Sequence, residues 1–363
     1  MRSKINITVL VAPLDWGLGH CTRCIPLIEY FQQSGCTVIL AAEGAQAKLL
    51  QEEFPLLTVL PLQGYRIRYS KSKRWFAAKI LWQLPKLLQS IKNEQIWLNR
   101  VVDEHKIDIV ISDNRYGLHH PSIRSIIITH QLQVQTPFLW TEKIVQRRLF
   151  KFINQFSACW VPDAAGNFNL SGKLAHPNLM PAIPVVYIGP LSRMIKANDH
   201  TLPKDVLILL SGPEPQRTLL ETIILSQVHS AEEKITLVRG LPLTTEHINV
   251  AGVKVINHLP AAKLNDAINK AELVICRSGY STIMDLCKLM KKSILIPTPG
   301  QTEQEYLADY LSKKSWCLYF NQNEFNLIEA IKTSNLTPYY FPEIEMETYK
   351  KAIDDLLYKT LKS

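Results

Sequence analysis

The chain has 363 residues, 47% of them hydrophobic and 20% charged, with a formal charge of +9. That is room for two domains of ordinary size and excludes a fibrous or disordered chain. The excess charge is confined to one half: residues 1–199 hold 23 Lys and Arg against 13 Asp and Glu, whereas residues 200–363 hold 18 against 19, so an anionic partner belongs with the first half.

Seven cysteines, scattered at 21, 24, 36, 159, 276, 287 and 317, suit a reducing compartment better than a disulfide framework. No stretch approaches the ~18 apolar residues of a membrane span. The short apolar run before Asp15-Trp16-Gly17 reads as a first strand, not a leader segment. The expected location is the cytoplasm.

In chain order, Ile5–Pro13 is a buried strand ended by Leu14-Asp15-Trp16-Gly17-Leu18-Gly19-His20. A helix with Ile25, Leu27, Ile28 and Phe31 on one face follows, and Thr37–Ala42 is the second strand. A strand–helix–strand start predicts a parallel sheet, since parallel strands need a crossover. Gly17 and Gly19 let backbone approach a ligand at the carboxyl end of the first strand, where open α/β sheets bind. His20 stands at the coming helix N-terminus, which favours a neutral imidazole able to act as a base; the alternative is a surface histidine in a tight turn. Cys21-x-x-Cys24 lacks a second Cys or His pair at ligand spacing, so no metal site is expected.

Residues 65–86, YRIRYSKSKRWFAAKILWQLPK, carry seven basic residues, no acidic one, and Tyr65, Tyr69, Trp75, Phe76 and Trp82 among them. Such a stretch can dock on anionic lipid, stack on single-stranded nucleic acid, or be a solvated basic helix. The lipid surface is preferred and nucleic acid is not expected. Ile107–Ser112 is a strand ended by Asp113-Asn114-Arg115, and Ile126–Thr129 another ended by His130-Gln131. Asp113, Arg115 and His130 thereby share one rim of the sheet as candidates for acceptor contact or proton transfer. Each such residue is, by itself, more often a cap or ion pair. Cys159–Pro162 and Val185–Ile188 are the last strands of this half.

The pattern restarts after a polar linker at 191–203. Strands at Val206–Leu210, Lys234–Val238, Gly252–Ile256, Leu273–Cys276 and Ser293–Pro297 alternate with helices, including Ala261–Lys270. The predicted fold is α/β, with two Rossmann-like doubly wound domains facing across a cleft: 1–190, 204–340, and a helix in 341–363 that returns to the first domain. The second half is organised around Cys276-Arg277-Ser278-Gly279-Tyr280-Ser281. A strand feeding a helix through Ser-Gly aims first-turn N–H groups and the positive end of the helix dipole at a phosphate. Eight residues past Arg277, Asp285 is placed to accept from a ribose hydroxyl.

These residues resemble glycosyltransferases of the GT-B fold, in particular the MurG-type group of family 28 and its diacylglycerol galactosyltransferase relatives. The resemblance rests on Arg277-Ser278-Gly279 with an acid eight residues after the Arg, then Pro299-Gly300-Gln301 and Gln304, over about residues 205–320. In the first half it rests on Gly17-x-Gly19-His20 and His130-Gln131. It implies a nucleotide-sugar donor, usually UDP-linked. Arg277, Ser278, Gly279 and Ser281 would then serve the diphosphate, with Ser211 in the loop after the first strand of that half. Asp285 would serve the ribose, Gly300, Gln301, Glu303 and Gln304 the sugar, and the backbone of Arg239 and Gly240 the base.

The chain shows no Asp-x-Asp metal motif and no pair of glutamates spaced eight apart near Gln304, so metal-independent transfer with inversion is expected. His20 is the first choice of base and Asp113 the second. No cofactor is expected besides the donor. A lipid-linked acceptor accounts for residues 65–86 and the charge split, and puts the protein at the inner face of the cytoplasmic membrane. The rivals are a nucleotide-sugar epimerase or hydrolase of the same fold, and a nucleotide-sugar-binding, membrane-docking protein without catalysis.

Overall fold

The computed structural model describes residues 6–65, 76–134, 139–197, 205–242 and 244–362, without the side chains of 76–84, 139–141 and 230. The chain divides into two compact units, Met1–Arg193 with Glu345–Ser363, and Met194–Ile344.

In the first unit, β1 (Thr8–Ala12), β2 (Thr37–Ala42), β3 (Thr58–Pro61), β4 (Ile109–Asp113), β5 (Arg124–Ile128), β6 (Ala158–Val161) and β7 (Val185–Tyr187) form a parallel sheet in the order β3-β2-β1-β4-β5-β6-β7. β1 and β4 are near-continuous apolar runs because helices cover both faces of the sheet. The register pairs Val9 with Val38 on one side and Ile109 on the other. The strand order reverses between β1 and β4, so the loops leaving those two strands flank the crevice where such sheets bind ligands.

Helices α1 (Leu18–Gln33), α2 (Gly44–Glu53), α3 (Phe76–His105) and α4 (Leu139–Ile153) connect strands of this unit. β3 and α2 have weak apolar patterns: β3 is an edge strand whose last residue is Pro61, tolerated there because no further strand needs its N–H. Of the basic-aromatic stretch, residues 66–75 and the side chains to 84 lie outside the described residues. Tyr65 is buried.

In the second unit, β8 (Asp205–Leu209), β9 (Lys234–Val238), β10 (Val253–Ile256), β11 (Leu273–Cys276), β12 (Lys292–Leu295) and β13 (Leu318–Tyr319) form a parallel sheet in the order β10-β9-β8-β11-β12-β13. Its helices are α5 (Gln216–Leu225), α6 (Ala261–Lys270), α7 (Tyr280–Lys288), α8 (Thr302–Lys313) and α9 (Leu327–Leu336). The reversal here falls between β8 and β11, which brings the Ser211–Pro215 loop beside Arg277–Gly279.

The last helix, α10 (Thr348–Leu361), packs in the first unit and buries Ile353, Leu356 and Leu357. Tyr30 of α1 donates to the Asp354 carboxylate at 3.0 Å and meets Tyr349 edge-to-face at 6.1 Å. No described helix is long and apolar enough to cross a membrane.

Candidate functional site

The first-unit candidates converge at the β1/β4 reversal. Gly17 precedes α1 with φ 83°, a conformation that glycine adopts without steric cost. Its carbonyl accepts from the buried Gln46 carboxamide at 2.8 Å, which ties the loop to α2. Gly19 and His20 open α1. His20 Nδ1 lies 2.9 Å from Asp113 Oδ2, with the His20 side chain 17% exposed and Asp113 fully buried.

Arg23, one helical turn beyond His20, also reaches Asp113. Its Nε donates to Oδ2 at 3.0 Å and one Nη to Oδ1. The same guanidinium lies 2.9 Å from His20 Nδ1 and 3.4 Å from Nδ1 of buried His130. Burial and the Arg23 charge hold His20 below the ordinary histidine range, against the pull of Asp113. For Asp113, burial pushes the carboxyl up, but Arg23 and His20 outweigh it and leave it below the usual range. The result is an ionised carboxylate beside a neutral imidazole.

Arg115 belongs elsewhere. Its guanidinium is 1% exposed and donates to Glu94 Oε1 at 2.7 Å, to Pro13 O at 3.3 Å and to Gln63 O at 2.5 Å. Tyr65 donates to Glu94 Oε2 at 2.8 Å and accepts from Tyr116 N at 2.9 Å. This buried network locks α3 to the loop after β4, so the structure gives Arg115 a structural role in place of acceptor contact. Glu94 supplies the opposite charge beside this buried guanidinium.

In the second unit, α7 starts at Tyr280 with Gly279 as its N-cap, no capping side chain and no acid in its first turn. Ser281 and Asp285 are four residues apart and half-buried, so they share a face, one turn apart. Ser278 is fully buried and its hydroxyl donates to Gln304 O at 2.8 Å; it pins α7 to α8. Arg277 also turns inward. It is 1% exposed and donates to Ile296 O at 3.2 Å, Pro297 O at 3.1 Å, Gln216 O at 2.7 Å and Gln322 Oε1 at 2.6 Å. Its Nε is buried without a partner, and burial lowers its pKa to about 10. It remains a cation near neutral pH.

The loop at 298–305 is closed on itself. Thr298 N donates to Gln304 Oε1 at 2.9 Å and Gly300 N to Glu305 Oε1 at 2.9 Å. With its oxygen occupied, Gln304 offers Nε2 as a donor. Gln301 occupies the N-cap position of α8 without a capping side-chain bond, and Glu303 stands in that helix's first turn. Gly240, at φ 71°, lies so close to the loop after β8 that a Cβ would sit 2.3 Å from Leu210 O. The Arg239 side chain is engaged with Glu221, Nε to Oε1 at 2.5 Å; the Arg239 backbone N–H donates to Ile256 O at 2.8 Å and its carbonyl accepts from Arg217 at 3.3 Å. In the Ser211–Pro215 loop, Glu214 accepts from Arg217 Nε at 2.6 Å and Thr218 N at 3.2 Å, placing an internal carboxylate over the start of α5.

All seven cysteines are buried and none is in a disulfide. Burial raises the Cys21 thiol to about 12 and Cys24 well above its ordinary range, so neither is a thiolate near neutral pH. No group of three or more metal-ligating side chains occurs among the described residues. Arg23 and Gln46 went unnoticed in the sequence. The spacing His20-x-x-Arg23 carried the first, since residues three apart share a helix face; nothing local marks Gln46.

Residues 207–356 match the glycosyltransferase family 28 C-terminal domain. Over 321 residues, 82% of this chain and 83% of the relative, the chain is 26% identical to the UDP-N-acetylglucosamine–N-acetylmuramyl-(pentapeptide) pyrophosphoryl-undecaprenol N-acetylglucosamine transferase of Alkaliphilus oremlandii. The corresponding transferase of Campylobacter jejuni is 35% identical over 72 residues, 19% of this chain and 21% of the relative. Among solved structures, MurG of Acinetobacter baumannii superposes with a TM-score of 0.55 at 15% identity, over 98% of this chain and 100% of that one. The spinosyn rhamnosyltransferase SpnG in complex with thymidine diphosphate gives 0.58 at 16% identity, over 98% and 96%. With two Rossmann-like units, a family 28 C-terminal-domain match over residues 207–356 and a MurG-type relative along most of its length, the chain is a glycosyltransferase of the GT-B fold, similar to the MurG-type enzymes.

Proposed function

We propose that the protein moves a sugar from a nucleoside-diphosphate sugar, with inversion and without a metal ion, to a lipid-linked acceptor at an anionic membrane surface. The observation that carries the reading is the His20–Asp113 pair at the β1/β4 reversal. Asp113 orients the ring through Nδ1, and Nε2 takes the proton of the acceptor hydroxyl as its oxygen bonds to the anomeric carbon. The bond from that carbon to the diphosphate oxygen breaks, and the nucleoside diphosphate departs with the electron pair. The start of α7 receives that charge, with Arg277 adding a fixed positive field. Ser281 assists at the phosphate, Asp285 binds the ribose, the backbone at Arg239–Gly240 the base, and Gln301, Glu303 and Gln304 the sugar.

A uridine diphosphate donor is supported by the Alkaliphilus relative, a UDP-N-acetylglucosamine-dependent transferase. The same relative's lipid-linked acceptor, with the first-half charge excess, supports docking through residues 65–86. The test is a panel of nucleotide sugars assayed for nucleotide release, with and without lipid extract, and with and without chelator. Release that needs lipid extract and ignores chelator is expected. Equal release without any acceptor would establish the hydrolase or epimerase instead. Binding without release from any donor would establish the non-catalytic protein. Vesicle co-sedimentation that ignores charge reversal at Arg66, Arg68, Lys71, Lys73 and Arg74 would remove the docking segment.

A further inference from the structure

The loop that leads into His20 is fastened at both ends by one side chain. Gln46 of α2 is 4% exposed. Its Nε2 donates to Leu14 O at 2.5 Å, where the chain leaves β1, and to Gly17 O at 2.8 Å, at the N-cap position of α1. Its backbone carbonyl accepts from Cys21 Sγ at 3.8 Å. The contacts of this one residue thus bracket His20 in the chain, at Gly17 on one side and Cys21 on the other. Both side-chain partners are carbonyls, which only accept, so the NH2 end of the carboxamide faces them and both its N–H groups are used. Oε1 is buried and has no partner among the described residues. The donor end alone orients the side chain.

We infer that Gln46 is the positioning residue of His20: by setting the span of the loop from Leu14 to Gly17, it fixes where α1 starts above the sheet and so holds the imidazole against Asp113. This rests on the reading of His20 as the base and names the residue that keeps that base in place.

The sheet explains why the span matters. β1 and β4 are paired neighbours, with Ala12 level with Ser112, so Asp113 has a fixed height at the end of β4. The height of His20 depends on the short loop between β1 and α1, a helix without a capping side-chain bond. Asp15 Oδ1 accepts from Tyr65 N at 3.0 Å, which holds the middle of that loop; Gln46 holds its two ends. The residue type follows from the task. Lys or Arg would supply donors but add a cation to a site that already holds Arg23. Glu would set carboxylate oxygens against two carbonyls, and Met has the length but no donor. A neutral carboxamide satisfies both carbonyls and leaves the field at His20 to the groups that face it: Arg23 from its own helix, Asp113 from the end of β4 and His130 after β5.

The test starts on the unaltered full-length protein, by NMR. Both Gln46 carboxamide protons should exchange with solvent as slowly as the backbone amides of α1; fast exchange of either overturns the assignment. Gln46→Met keeps the length of the side chain and removes both donors. In the folded variant, kcat should fall about 10²-fold, the effect of a small misplacement at a reacting group, while uridine diphosphate affinity by calorimetry stays at the wild-type value. The His20 ring should titrate higher, toward 6.5, as it leaves the burial and the Arg23 charge that hold it low. Gln46→Asn keeps the carboxamide on a shorter stem and should fall between wild type and Gln46→Met. A Gln46→Met protein that melts earlier yet keeps the wild-type kcat and His20 titration would show that Gln46 only supports the fold. Should Gln46→Met not fold, the same readouts on Gln46→Asn decide, together with the exchange arm. Retained turnover in His20→Ala removes the base reading without touching the exchange or titration results, so the two failures are distinguishable.

Discussion

His20 stands at the third position of its helix, mostly buried, with its Nδ1 against a fully buried carboxylate. Its replacement by Ala should lower turnover by roughly 10²–10⁴-fold, the usual contribution of a positioned base, while nucleotide binding, measured by calorimetry, stays unchanged. Asp113→Asn should do more than lower turnover. It leaves Arg23 buried without its carboxylate, a loss of about 3–5 kcal/mol when one partner of a buried pair is removed, read as a drop in denaturation midpoint. The pH response has two parts with different windows. As pH falls below 6.5, the unfolded chain takes a proton on His20 that the folded one refuses, so stability declines. Asp113 contributes stability that is complete above its ordinary value of 3.8 and is lost only as pH falls further, through its lowered native value. Thermal melts between pH 4.5 and 8 should show the first decline without the second. Tyr65→Phe removes one donor to Glu94 and one acceptor for Tyr116 N; with Glu94 left short of a partner in the interior, about 1–3 kcal/mol should be lost.

Loops at the ends of strands carry the candidate chemistry, and their close approaches are where glycine matters. A Cβ on Gly240 would meet Leu210 O at 2.3 Å and the residue already has φ 71°. Gly240→Ala should therefore displace the loops after β8 and β9 together, weakening nucleotide binding at least as much as stability. An unchanged dissociation constant in a folded Gly240→Ala protein would disconnect those loops from the donor. Much of this was legible in the chain. Leu273–Cys276 followed by a Ser-Gly turn and helical spacing marks β11 and α7 because a buried parallel strand is an unbroken apolar run. The α6 limits, Ala261–Lys270, were readable for a related reason, as a strongly one-sided helix between two such runs. Side-chain direction was not legible. Arg277 and Arg115 look like ligands in a one-dimensional reading, since a charged residue at a strand end is near the site whichever way it points. Only the tertiary partners, carbonyl oxygens for Arg277 and Glu94 for Arg115, turn them inward. Short edge elements such as β3 escaped because four half-exposed residues carry too little pattern to separate from a loop.

At the scale of the whole molecule, the first unit is built from two separated pieces of chain. Ile353, Leu356 and Leu357 of α10 are buried in it, each worth roughly 1.5–3 kcal/mol of apolar transfer when fully covered. Deleting 345–363 should lower the melting transition of the first unit and leave that of the second in place, as resolved by calorimetry or by hydrogen exchange of each sheet. A single unchanged transition would mean that α10 contributes little.

The discontinuity also sets an order of events during synthesis. The stretch from Glu345 onward is made only after the entire second unit, which at ~5–20 residues per second is a delay of about 8–30 s. For that interval the α1 surface that α10 covers stays open to water while the nascent second unit is free to fold. The half of the molecule that begins first is thus completed last. A fragment ending at Arg193 should aggregate when made alone and be rescued by a supplied 345–363 peptide, whereas a fragment spanning Met194–Ile344 should need no such help.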